Sequence, residues 1–314
     1  MSPSPAQPAA RRCQNALNVL HSTVYFSPDL GRELATRGVG DPMGCYLAGR
    51  AAALGRVGPG VVTAVFHNFR YDTVARHLPA VWEQVTPEEV LAARLRAVGS
   101  TLRRVLGAGT LTARPLREAA RLALRAVEGC GRPGRPLYAA HADQPVPEAP
   151  HLALWYAATL LREHRGDSHV AALSAAGLDG IEALVSHCAS DAGMPRDAVM
   201  AQRGWTRQDW AAAEDRLRER GLMTADGALT GRGRRLRTEL EEETDRADRG
   251  PYRHLGAAGV AELTRLAEEF GRIAGAAGAF PPQLAGFFRP AGDPAENPLG
   301  QTGTRGVPLD LTQA

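Results

Sequence analysis

Seven of the eight residues from Arg162 to His169 carry side chains that donate or accept hydrogen bonds, and the stretch lies between two strongly apolar runs. His164 and His169 are imidazoles, the side chains whose ordinary pKa lies closest to neutrality, so they are candidates for a general acid or base. Asp167 would orient one of them, and Glu163 is a further acid/base candidate. Arg162 and Arg165 carry planar guanidinium forks of the kind that clamp a carboxylate, phosphate or enolate. Just upstream, HLALWYAATLLREH reads as a helix that sets Trp155, Thr159, Arg162 and Glu163 on one face. Structural readings compete with these: Asp167 is a natural N-cap for SHVAALSAA, Glu163 can pair with an arginine, and a histidine can be a hydrogen-bonded spacer.

The first half adds substrate-binding candidates. His21, Tyr25 and Phe26 precede a Ser-Pro break, Tyr46 lies on MGCYLAGRAAAL, and Phe66-His67-Asn68-Phe69 ends the next helix. His21, Tyr46, His67 and Asn68 are expected to share a cavity with the 162–169 segment; core packing accounts for Phe66 and Phe69, and C-capping for Asn68. No metal is expected, because His164 and His169 straddle a glycine and nothing like HExxH accompanies them. No cofactor is expected either: GRVGPG follows no strand signal, and there is no G-x-S-x-G elbow.

The elements that must position these residues read as helices. Apolar positions recur at three and four, and β-branched residues are sparse. The fold class is therefore all-α, in two related helical halves. Residues 1–11 are expected to be disordered, 12–140 to form an N-terminal helical domain, 141–290 a C-terminal one, and 291–314 a Gly/Pro-rich tail. Setting 55–69 over 164–178 aligns Arg56 with Arg165 and Val61 with Val170, the basis for relating the halves. Farther on, Pro195 opens a short helix closed by Gly204, and Thr206 to Asp209 has the form of a capping box. A helix to Arg220, an Asp226-Gly227 turn and a charged helix from about Arg232 to Asp248 follow. Helix, turn, helix, short β wing, helix is the order of a winged helix, spanning about 195–248.

The run WAAAEDRLRERGLMTADGALTGRGRRLRTEL resembles the recognition helix, wing and following helix of MarR-type winged-helix proteins. Through LLREHRGDSHVAAL and the RGW, RGL, LT and G runs, nearly the whole chain also resembles an actinobacterial family described as helix-turn-helix-like. Neither resemblance implies an activity. A DNA reader of this type offers hydroxyl, amide or Arg side chains early on its recognition helix; here Gln208, Asp209, Ala211 and Ala212 stand there, Arg203, Arg207 and Gln208 are the only plausible contacts, and the wing TADGAL has no basic residue, although Arg232, Arg234 and Arg235 after it could touch the backbone. Sequence-specific DNA is accordingly not expected as a partner.

Composition bounds the rest. The chain has 314 residues, 44% hydrophobic, which is enough for one or two domains that bury about three quarters of their unfolded surface. All 37 basic residues are arginine, against 34 acidic ones, so there is no concentrated basic excess for nucleic acid. Scattered Cys13, Cys45, Cys130 and Cys188 read as reduced thiols. No apolar run of membrane-spanning length and no signal peptide is visible, so a cytoplasmic location without membrane partners is expected. The leading functional expectation is a small organic molecule bound in an aromatic-lined pocket by a cofactor-free cyclase, isomerase or lyase of specialised metabolism. The alternatives are a ligand-responsive regulator, binding an operator as a homodimer, and a protein that sequesters a toxic metabolite.

Overall fold

The computed structural model describes residues 6–190, 193–282 and 284–288. Thirteen α-helices occur among them. The first, α1 (Ala6–Ser22), starts inside the segment expected to lack order. It is followed by α2 (Asp29–Ala35) and α3 (Pro42–Ala51), whose start is fixed by Pro42 and by Asp41 accepting from the Met43 and Gly44 amides. Helices α4 (Pro59–Phe66) and α5 (Tyr71–Gln84) are joined through His67, the only non-glycine residue with positive φ among the described residues. Thr86 and Glu89 form a capping box for α6 (Pro87–Thr112), and α7 (Arg114–Val127) and α8 (Pro136–Ala142) follow.

Helix α9 (Pro150–Ala175) is the axis of the molecule. It packs against α1, α4, α6, α7, α8 and α13, and is buried around most of its circumference. The C-terminal part comprises α10 (Gly180–Cys188), α11 (Arg196–Arg203), α12 (Arg207–Glu219) and α13 (Gly231–Ala276). Between α12 and α13 the chain turns at Gly227, and Met223 pairs with Leu229 in a single antiparallel bridge. Helix α13 runs well past the expected end at Asp248, breaking only at Gly256, so its second half can lie along α1.

Among the described residues, three large apolar clusters hold these elements, and a small fourth joins α8 to α9 through Tyr138, Tyr156 and Leu160. One joins α1, α6, α7, α9 and α13 through Leu17, Leu116, Leu161, Leu263 and Phe270; each such side chain contributes about 1.5–3 kcal/mol when fully buried. A second joins α3, α4, α5 and the start of α6 around Leu47, Phe69, Leu78 and Val90. The third gathers the end of α9, α10 to α12, the bridge and the start of α13 around Ile181, Trp210, Leu217 and Leu240. Among the described residues, no helix is long and apolar enough to cross a membrane. The expected tail at 291–314 lies outside the described residues.

Two further sequence expectations change. Residues 162–169 are not a helix junction but the interior of α9, which passes through Gly166 unbroken. The register that set 55–69 over 164–178 therefore pairs a connection before α4 with the middle of a helix. Helix pairs α4–α5 and α11–α12 share one local feature, a residue at positive φ in the connection, His67 at 62° and Gly204 at 77°.

Candidate functional site

The polar residues that converge come from both halves. Arg50 on α3, Arg94 on α6, Arg162 and Glu163 on α9 and Arg203 at the end of α11 surround His21, Tyr25 and Tyr46, with His141 of α8 alongside. An aromatic chain forms the scaffold. His21 stacks on Trp155 at 5.0 Å and meets Tyr25 edge-on at 5.5 Å, Tyr25 lies 5.6 Å from Tyr46, and Tyr46 lies 6.0 Å from Phe69. Each guanidinium sits over a ring: Arg50 over Phe66 at 4.1 Å, Arg94 over Trp155 at 4.7 Å, Arg162 over Tyr25 at 5.7 Å and Arg203 over Phe69 at 4.2 Å. The rings fix the flat faces of the arginines and leave their N–H edges to bond in plane.

Positive charge is in excess there. Arg50 bonds Glu163 at 3.5 Å and Arg162 pairs with the same carboxylate, so one acid serves two bases, while Arg94 has no ion-pair partner among the described residues. Burial raises the Glu163 carboxyl, but Arg162 and Arg50 outweigh it and bring it down to about 2. Burial also raises the Tyr46 phenol, and Arg203 and Arg50 reverse this, leaving it at about 7. Burial lowers His21 far below its ordinary value and His141 to about 3, and the nearby arginines add to both, so both imidazoles are neutral at pH 7. Several polar atoms in this cluster are buried without a partner: both His21 nitrogens, His141 Nε2, Arg50 Nε, Arg94 Nη2 and the Tyr25 hydroxyl.

The other expected site residues point elsewhere, because successive positions on a continuous helix turn around its axis. His164 Nδ1 lies 2.6 Å from Asp248 Oδ1, and its Nε2 accepts from the Gly131 amide at 3.4 Å. His169 reaches Thr244 at 2.9 Å, and burial lowers it to about 4. Asp167 is not an N-cap; it accepts the Tyr138 amide at 2.9 Å, and burial raises it to about 6. Arg165 turns to α13, bonding Asp245 at 2.7 Å and Glu241 at 3.0 Å. Thr159 bonds the Trp155 carbonyl of its own helix at 3.0 Å. His164, His169 and Asp167 thus do not form one acid/base set, whereas His21, Tyr46, Trp155, Arg162 and Glu163 do come together. Arg50, Arg94 and His141 escaped sequence reasoning, although Arg94 and Arg50 each interrupt an apolar helical stripe, and Arg203 was expected only as a DNA contact.

His67 and Asn68 sit where the two helix pairs meet. The Trp205 indole N–H donates to the Asn68 carbonyl at 2.9 Å, and the Arg70 amide donates to the Arg203 carbonyl at 3.1 Å. Arg203 Nη1 reaches the Tyr46 hydroxyl at 3.3 Å, so the turn after α11 is also a wall of the arginine cluster. Beyond that turn, Arg207, Gln208, Ala211 and Ala212 form an exposed face of α12, and Arg232 and Arg235 are exposed at the start of α13. Asp209 is occupied locally: it closes the capping box with Thr206 and lies 3.8 Å from Arg70.

The chain belongs to a helix-turn-helix family, whose profile matches residues 10–281. No curated protein and no solved structure shows significant similarity to it. The family match overturns the expectation that sequence-specific DNA is not a partner, since it points to a DNA-binding protein. The geometry supplies a physical reason for the error: the Asp209 charge, counted against phosphate approach, is absorbed by its cap and by Arg70.

Proposed function

We propose that the protein is a ligand-responsive, DNA-binding transcription regulator. Helices α11 and α12 and the short bridge act as a MarR-like winged helix-turn-helix, and the buried arginine cluster is the effector site. The membership in a helix-turn-helix family carries this reading. Arg207 and Gln208 at the exposed start of α12 have the donor and acceptor groups that read base edges, and Arg232 and Arg235 are placed to meet phosphates. A cofactor-free enzyme is less well supported, because the acid/base residues of α9 are dispersed. Selection of bound duplexes from a random pool by the full-length protein tests the proposal. A recurrent motif is the expected result; a pool that stays random after repeated rounds contradicts it.

A further inference from the structure

A buried guanidinium without a counter-ion is costly, and burying several together is costlier, unless an anion joins them. The cluster holds four arginines and one carboxylate, an excess of three positive charges, or two when Tyr46 is ionised. Arg94 is 3% exposed with an unpaired Nη2, His21 is fully buried with both nitrogens unpaired, and His141 is 3% exposed with Nε2 unpaired. The Arg162 side chain keeps 26% of its surface accessible, so the cluster reaches solvent at that residue. The unpaired groups are mainly donors, so the chemistry they await is rich in acceptors and negative.

We propose that the cluster of Arg50, Arg94 and Arg162 binds a compact dianion, a dicarboxylate or a phosphoryl compound, and that the bound dianion acts through Tyr46 on Arg203 and so sets the α11–α12 turn. Two charges match the excess that remains once Tyr46 is ionised. A carboxylate or phosphoryl group accepts in plane from guanidinium edges whose faces are already held by rings. Neutral His21 adds an N–H donor and a lone pair, and His141 Nε2 adds one or the other according to its tautomer, which favours a ligand or its water shell bearing a hydroxyl. Arg203 is the lever because it is both the last residue of α11 and the partner of Tyr46. Only this second half, the link to the turn, rests on the regulator reading.

The test uses the full-length protein and no DNA, so its outcome is separate from that of the regulator reading. Calorimetric titration with inorganic phosphate and with succinate, at constant ionic strength, is compared with acetate. At least one dianion is expected to bind about tenfold more tightly than acetate, and which one binds separates phosphoryl from dicarboxylate ligands. Arg94→Met, checked for folding by its thermal melt, and the less buried Arg203→Met should each weaken binding about tenfold. Hydrogen exchange across residues 196–210 should slow with the dianion in wild type and stay unchanged in Arg203→Met. Dianions that bind no better than acetate, or that bind both variants as they bind wild type, overturn the site. Tight binding without a change in exchange overturns the lever.

Discussion

The guanidinium of Arg203 meets the hydroxyl of Tyr46 at 3.3 Å, joining the turn of one helix pair to a helix that supports the other. Tyr46 would ionise far above neutrality in water, yet Arg203 and Arg50 offset its burial and hold it at about 7. A tyrosinate band in ultraviolet difference spectra should therefore appear with a midpoint near pH 7 in wild type. Tyr46→Phe should remove it, and Arg203→Met should shift it upward. Because the folded pKa lies below the unfolded one, this group adds stability as pH rises from about 7 towards 10. Titration of all tyrosines near 10 would contradict the pairing.

Glu163 is the one carboxylate shared by Arg50 and Arg162. Glu163→Gln keeps the shape but leaves both guanidiniums without their counter-charge, so urea unfolding should show a loss of about 3 kcal/mol, as when one partner of a buried pair is removed. Adding a bound dianion should recover part of the loss. A variant as stable as wild type in dianion-free buffer would show that the charge is balanced from elsewhere.

Acid should destabilise the fold early. His21, His141 and His169 are held neutral when folded, whereas the unfolded chain takes up protons at each near pH 6.5. The sign follows: their contribution is complete above about 6.5 and falls as pH drops from there towards the folded values, about 3 for His141 and 4 for His169. Denaturant midpoints between pH 7 and 4 should decline, and His141→Gln should make that decline shallower.

Gly204 combines two demands. It sits at φ 77°, and a Cβ there would lie 1.8 Å from the Thr73 hydroxyl. Gly204→Ala should cost about 1–3 kcal/mol in thermal or urea unfolding, and the loss should concentrate at the contact between α5 and the α11–α12 turn. Thr73→Gly in the same chain should return the part due to the clash and leave the part due to φ. Full recovery would mean that the conformation itself is unstrained.

Local signals carried much of the fold. Prolines at helix starts, the Thr206 capping box and Gly204 are short-range chemistry, and they mark α11 and α12 to within a residue. The mid-helix position of Gly166 misled, because a glycine between polar residues looks like a turn, while the packing of α9 against six other helices easily outweighs the roughly 1 kcal/mol glycine costs a helix. The site was only partly legible for a related reason. Arg162, Tyr46, Trp155 and His21 were visible as residue types, but Arg94 and Arg203 join them through contacts between distant segments, which periodicity does not reveal. The trace of Arg94, as of Arg50, was an arginine placed where a helix's apolar stripe calls for a hydrophobe.

In the proposed regulator, the exposed start of α12 reads DNA. Fluorescence anisotropy at about physiological salt, with the promoter of the protein's own gene against a scrambled duplex, tests it most directly. Binding at about 10 nM or tighter to the promoter and at least about 1,000-fold weaker binding to the scramble is expected, with both Arg207→Ala and Gln208→Ala eroding that difference. Equal affinity for the two duplexes, unchanged by either substitution, would contradict it.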